Sequence, residues 1–269
     1  MTRQPVIVAG VDGAAHGRAA AVWAAREAGW RELPLRLVRF TPPDTAADTL
    51  PAELTRRHPG LDLTTMRSAA HALSALCQDA EMLVLGLPDE EERDGSALAQ
   101  TARDAAVRTS ACPVVLVPDA PPPLRTRPGR PPAQVTVGVD ARDPAAAAID
   151  FACGAARLRQ ARLRVLHAWS LPASAAELPF GIPEEDRATW EDHEVQLLSD
   201  AVRPWREKYP DVRIVEDVVL FSPAEALLHN PGDAELVVVG RRSPNGGGPS
   251  TTTDPLLRHS RCPVAVVPR

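Results

Sequence analysis

Lysine is almost missing from this chain. Of its 30 basic residues only Lys208 is not an arginine, which excludes a lysine-dependent mechanism shared by two similar halves. Positive net charge is missing too: 35 acidic side chains leave a formal charge of −5, which speaks against nucleic acid or an anionic membrane as main partner. No apolar run approaches the roughly 20 residues of a membrane span. The first residues, Met1-Thr-Arg-Gln-Pro-Val-Ile-Val8, lead straight into a strand pattern, so no secretory leader is expected. Cysteine is sparse: Cys77, Cys112, Cys153 and Cys262 form no Cys-x-x-Cys pair. They read as buried reduced thiols of a cytoplasmic protein. There is no metal-ligand spacing, no Walker loop, no Gly-x-Gly-x-x-Gly after the first strand and no Gly-x-Ser-x-Gly elbow.

What is present is present twice. Gly10-Val-Asp-Gly13 returns as Gly138-Val-Asp-Ala141, Glu81-Met-Leu-Val-Leu-Gly86 as Glu235-Leu-Val-Val-Val-Gly240, and Ala111-Cys-Pro-Val-Val-Leu-Val-Pro118 as Arg261-Cys-Pro-Val-Ala-Val-Val-Pro268. Three landmarks in one order divide the 269 residues into two copies of a domain, each long enough for its own core. The expected division is a first domain over 1–118, a Pro-rich linker over 119–133 and a second domain over 134–269.

In copy one, Pro5–Val11 is too short for a helix and rich in β-branched residues, the mark of a strand buried on both faces. Gly17–Trp30 then reads as helix, 35–40 as strand, 52–57 as a weak helix and 61–66 as strand. Helix is expected over 69–78, strand over 82–85, helix over 98–108 and strand over 114–117. Copy two repeats the order from Val135. It adds an acidic insertion over 172–190, and a helix from Glu191 to Tyr209 is expected to be interrupted near Pro204. Ser222-Pro-Ala-Glu225 is a helix start with an N-cap serine, Pro at N1 and Glu at N3. Strand alternating with helix five times per copy predicts an α/β fold: two tandem five-stranded, parallel, doubly wound, Rossmann-like domains.

In such sheets ligands sit beyond the carboxyl ends of the strands, where the winding reverses. Asp12 and Asp140 end the first strands, and Gly86 and Gly240 end the fourth. Each aspartate could accept hydrogen bonds from a ribose or adenine, or could cap the following helix. Strand ending Gly-Val-Asp, Ala-rich helix, late Val-Val-Val-Gly and closing Cys-Pro-Val-x-Val-Val-Pro together resemble the universal stress protein family in tandem form, over residues 5–118 and 134–268. The resemblance implies a five-stranded parallel sheet and, in the ATP-binding branch, a Gly-x-x-Gly-x9-Gly-Ser/Thr loop after strand four that cradles phosphates while the strand-one Asp holds adenine or ribose. It also implies dimers built on the last strand. Pairing of the two copies through their closing strands is therefore expected, with a homodimer of the whole chain left open.

Both copies depart from that loop. Copy one reads Gly86-Leu-Pro-Asp-Glu-Glu-Glu-Arg-Asp-Gly-Ser96, whose run of carboxylates would face a polyphosphate. Each like-charge contact at about 4 Å costs roughly 1 kcal/mol in water and several at lower dielectric. Copy two reads Gly240-Arg-Arg-Ser-Pro-Asn-Gly-Gly-Gly-Pro-Ser-Thr251. It is shorter than the family loop, yet its arginines, glycines and hydroxyls favour an anion beside a helix start at Thr253 or Asp254.

The candidate ligand-binding set is therefore Val139, Asp140, His167, Gly240, Arg241, Ser243, Gly246, Gly247, Ser250 and Thr251, with Asp12 and Gly86 as the weaker site of copy one. No catalytic or metal-binding residue is assigned. ATP or another adenine nucleotide, with Mg²⁺ accompanying it, is the expected ligand of a cytoplasmic stress-response regulatory module. A non-nucleotide interaction protein is the alternative, and a slow ATP hydrolase a third reading. His16 is expected at the surface, and Trp23 and Trp30 in a helix–sheet core or an interface stripe.

Overall fold

The computed structural model describes residues 5–40, 49–68, 80–88, 107–108, 110–119, 133–171, 184–229, 234–241 and 252–269. The helices expected at 69–78 and over most of 98–108 lie outside them, as does the linker apart from its first and last residues. By contacts the chain separates into two compact units. One comprises 1–123, 241–247 and 257–268; the other comprises 124–240, 248–256 and Arg269.

The first unit holds strands β1 (Val6–Val11), β2 (Leu35–Arg39), β3 (Leu63–Arg67), β4 (Ala80–Leu87) and β5 (Val114–Pro118), with helices α1 (Ala15–Arg31) and α2 (Leu50–Arg57). The strands are ordered β3-β2-β1-β4-β5 and all pair in parallel. Strand β10 (Val264–Val267), from the end of the second repeat, lies antiparallel on β5, with Val264 opposite Leu116 and Val266 opposite Val114. The second unit orders its parallel strands β9-β6-β7-β8, from β6 (Gln134–Gly138), β7 (Arg162–Trp169), β8 (Ile214–Leu220) and β9 (Ala234–Gly240). Its helices are α3 (Ala146–Leu158), α4 (Glu184–Lys208) and α5 (Pro223–His229), and α6 (Thr253–His259) has residues 253–256 in this unit and 257–259 in the first.

The first strand of each repeat runs between the second and the fourth, so the winding reverses between β1 and β4 and between β6 and β9. The central strands are buried along their whole length, which is why they read as unbroken apolar runs. The glutamates of the second landmark have a structural meaning. Val6 faces Ala80 and Ile7 faces Met82, so Glu81 is the extra residue of a bulge; Gln134 faces Ala234 and Val135 faces Leu236, so Glu235 is the same extra residue. A bulge sets the register of the strand beyond it, and both repeats keep it.

Helix α1 buries Ala20, Ala21, Ala24, Ala25 and Ala28 around a fully enclosed Trp23. Small side chains let its backbone close on the sheet. Trp30, by contrast, lies under the Arg26 guanidinium at 5.2 Å. Both α1 and α3 end on a non-glycine residue in the left-handed region, Glu32 (φ 55°) and Gln160 (φ 50°). The next amides, Leu33 and Ala161, reach back to the carbonyls of Ala28 and Ala156 at 3.0 and 2.9 Å. Residue pairs of this kind close the last turn of a helix.

Helix α4 corrects the sequence reading. It is continuous from Glu184 through Pro204 to Lys208, so the helix starts within the segment expected as an insertion. After the proline, Tyr209 N–H still donates to the Trp205 carbonyl at 2.9 Å. Lys208 donates to Asp150 of α3 at 2.5 Å and lies over the Trp205 and Tyr209 rings, while the Tyr209 hydroxyl donates to the same carboxylate at 2.8 Å. Ser222 and Glu225 exchange the expected bonds of a capping box at the start of α5.

Candidate functional site

The crevice of the first repeat is filled by its own side chains. Asp12 follows β1 and accepts from the Ala14 amide at 3.3 Å and from His16 Nε2 at 2.7 Å. His16 is only 6% exposed, contrary to the surface position expected, because α1 begins at Ala15 and turns the ring inward across the strand ends. Its Nδ1 stands 3.9 Å from Asp119, the residue after β5. A Cβ on Gly86 would strike the His16 backbone and ring, and one on Gly17 would meet Asp12 Oδ1 at 2.5 Å. Gly86 therefore lets the start of α1 rest on the end of β4. A ligand at this switch point would have to displace His16 and compete with it for Asp12, so the residues present do not fit a nucleotide.

The second crevice is built on the same plan with a smaller plug. A Cβ on Gly240 would strike the methyl group of Ala145, just ahead of α3. Ala145 thus stands over its glycine as His16 stands over Gly86, with a methyl in place of a ring. Asp140 is exposed. Its Oδ1 accepts from the Arg142 amide at 3.1 Å, the local bond of an Asx turn ahead of α3. These residues fit the ribose or base of a nucleotide.

Behind the Asp140 loop lies a buried polar chain. His167, at the end of β7 and 2% exposed, places Nδ1 at 3.1 Å from the Val139 carbonyl and at 3.4 Å from the Ala141 amide. Its Nε2 lies 3.0 Å from Glu194 Oε2 of α4. Arg142 grips that carboxylate with two nitrogens, Nη1 at 2.8 Å from Oε2 and Nη2 on Oε1. Burial pushes the Glu194 carboxyl upward, but bonds from Arg142 and His167 outweigh it and hold the group below the usual range. The Arg142 guanidinium is raised in turn, chiefly by its bond to Glu194.

Val139, Asp140, His167 and Gly240 are thus brought together. Arg241 is drawn elsewhere: its amide donates to the Val267 carbonyl at 2.7 Å and its guanidinium to the Ser110 carbonyl at 2.6 Å. Ser243, Gly246, Gly247, Ser250 and Thr251, and the acidic segment after Pro88, lie outside the described residues. Among the described residues no group of three or more His, Cys, Asp or Glu side chains could hold a metal ion, and no helix is long and apolar enough to cross a membrane. Sequence reasoning missed Glu194 and Arg142. The signal was there for Glu194, which precedes the fully buried Leu198 by four and Val202 by eight, and so shares the buried stripe of α4.

A serine pair was also missed. Ser110 and Ser260, two before Cys112 and Cys262, accept from those cysteines' amides at 3.1 and 3.3 Å and donate to their carbonyls at 2.8 and 2.9 Å. The hydroxyls close the turn into β5 and β10. Cys112, Cys153 and Cys262 are buried and unbridged. Burial, reinforced by Asp150, pushes the Cys153 thiol up to about 12, and burial raises Cys262 as well.

Parallel sheets whose winding reverses beside the first strand define the class of doubly wound α/β proteins. The Universal stress protein family model matches residues 133–268. A universal stress protein of Mycobacterium tuberculosis is 30% identical over 268 residues, covering 89% of this chain and 87% of its own. One from Mycobacterium bovis is 28% identical over 288 residues, covering 89% and 86%. Among solved structures, a universal stress protein from Archaeoglobus fulgidus superposes with a TM-score of 0.60 at 12% identity, covering 98% of each chain. The chain belongs to the universal stress protein family.

Proposed function

We propose that this is a tandem stress-response module that binds an adenine nucleotide, ATP with Mg²⁺ first among them, in its second repeat and leaves its first repeat empty. One observation carries the reading: His16 lies over Gly86 and holds Asp12, while among the described residues the methyls of Ala145 and Ala148 lie over Gly240 and Asp140 is exposed. The role is binding rather than dedicated catalysis. Ser222, the hydroxyl that most invites a nucleophile, is spent on the cap of α5. A cytoplasmic setting is supported by the three buried, unbridged thiols. Pairing of the repeats through their closing strands is supported by the antiparallel register of β10 on β5.

Calorimetric titration of the full chain with ATP and Mg²⁺ tests this. One site per chain is expected, abolished by Asp140→Ala and retained by Asp12→Ala; the reverse pattern would overturn the assignment. A second reading, an interaction protein that binds no nucleotide, is favoured by the Arg241 guanidinium being committed to the Ser110 carbonyl. Purified chain without adenine absorbance, and without a thermal shift on adding nucleotides, would favour it.

A further inference from the structure

The geometry points to His167 as a proton-linked positioning residue: the charge of its ring decides which backbone group of the Val139–Ala141 segment it holds, and thereby sets the Asp140 loop for an anionic ligand. The inference rests on the ligand site proposed above.

Two facts restrict the ring. Glu194 is kept anionic by the bidentate Arg142 and can only accept. Nε2, 3.0 Å from it, must therefore carry a proton. The state of Nδ1 is then the single variable. Protonated, it donates to the Val139 carbonyl at 3.1 Å, and the Ala141 amide is released. Bare, it accepts from the Ala141 amide at 3.4 Å, and its lone pair confronts the Val139 carbonyl. These two groups belong to the peptides on either side of Asp140. The ring nitrogen lies nearer the carbonyl, so a proton on Nδ1 favours the Val139 contact and its removal favours the Ala141 contact. Imidazole is the ordinary side chain that changes charge between pH 5 and 8.

Other charges around the ring are already committed among the described residues. On β8, Val218 stands beside His167, while Asp217 pairs with Arg164 and Glu216 with Arg206. On α5, Glu225 holds Ser222 and His229 Nδ1 bonds to the Glu225 carbonyl. On the loop, Asp140 takes the Arg142 amide and Asp143 pairs with Arg269. Glu194, backed by Arg142, is the charge in contact with the ring.

Protonation adds positive charge beneath the loop and frees a donor, so an anion binds more tightly as pH falls. Linkage of a single proton limits the change to about tenfold in Kd per pH unit. The test follows the full chain by NMR from pH 8 to 5, recording the Ala141 amide and Val139 carbonyl shifts beside the His167 ring nitrogens. Binding of 3′,5′-cyclic AMP, whose phosphodiester keeps one charge over this range, is measured in parallel. Both backbone signals are expected to move with the ring, and Kd to fall several-fold toward acid. His167→Gln should abolish both responses. Glu194→Gln, a milder change that keeps the ring, should move the backbone response to lower pH.

Backbone signals indifferent to the ring's titration would overturn the inference, as would a pH response surviving in His167→Gln. Should no nucleotide bind at any pH, the proposed function fails, and the backbone signals alone decide this one.

Discussion

Glycines 86 and 240 were legible in the sequence as site residues, and the structure gives them a different task. Each lies under the start of its repeat's first helix. Gly86→Ala should destabilise the chain by about 1–3 kcal/mol through overpacking, because the atoms struck are His16 backbone and cannot swing away. Gly240→Ala meets the Ala145 Cβ at 2.4 Å, which is fixed to its own backbone, and should cost a similar amount; urea denaturation of both variants checks this. Glu194 yields a pH prediction. Its folded-state carboxyl is depressed, so its stabilisation is present above the unfolded value of about 4.3 and is lost as pH falls through the folded one. Glu194→Gln should therefore cost about 1–3 kcal/mol at pH 7, and thermal melts of the two proteins should converge as pH falls below the unfolded value and through the folded one. Glu194 escaped the sequence because an acidic residue within an acidic helix looks solvated until its apolar neighbours at i+4 and i+8 are weighed. His16 was misplaced for a related reason: nothing local fixes how far the first helix extends toward the strand, and its start at Ala15 rather than Gly17, two residues earlier, turns the ring inward.

The elements themselves were the most readable part. In the first repeat the strands were legible to within two residues, the central ones because burial on both faces leaves little alternative, whereas β3 is largely exposed and was read from its place in the alternation. Helix α4 was readable at its end, expected at Tyr209 and found at Lys208, but not at its start, expected at Glu191 and found at Glu184. Proline ordinarily breaks a helix interior, and here its neighbours carry the helix past it. The ends of α1 and α3 offer a prediction at this scale. Glu32 and Gln160 occupy a backbone region that costs a side-chain-bearing residue about 1 kcal/mol. Replacing either by glycine should stabilise the chain by about 0.5–1 kcal/mol, an increment visible in the denaturation midpoint, whereas alanine should not.

At the scale of the molecule, the doubling could be read directly, and the assignment of strands to compact units could not. Three landmarks in order imply two domains, and the resemblance implied that their closing strands pair, but nothing local says that β10 groups with the strands of the first unit. Strand β10 comes from the last residues of the chain and covers β5 in the unit built from the first. Deleting residues 260–269 should therefore strip amide exchange protection from Val114–Val117, in the opposite repeat from the deletion, while the β6–β7 ladder keeps its own. Loss confined to the second repeat would contradict this.

The solitary Lys208 has a practical side. Amine-directed reagents will find one side chain in the whole polymer, standing where α4 meets α3 and gripped by Asp150. A dye or spin label placed there after mild acylation reports on a single known position, with the terminal amine as the one competitor. Tethering it also breaks the clasp on Asp150, so reporter signal and local loosening of that helix junction arrive together and can be told apart by labelling at graded occupancy.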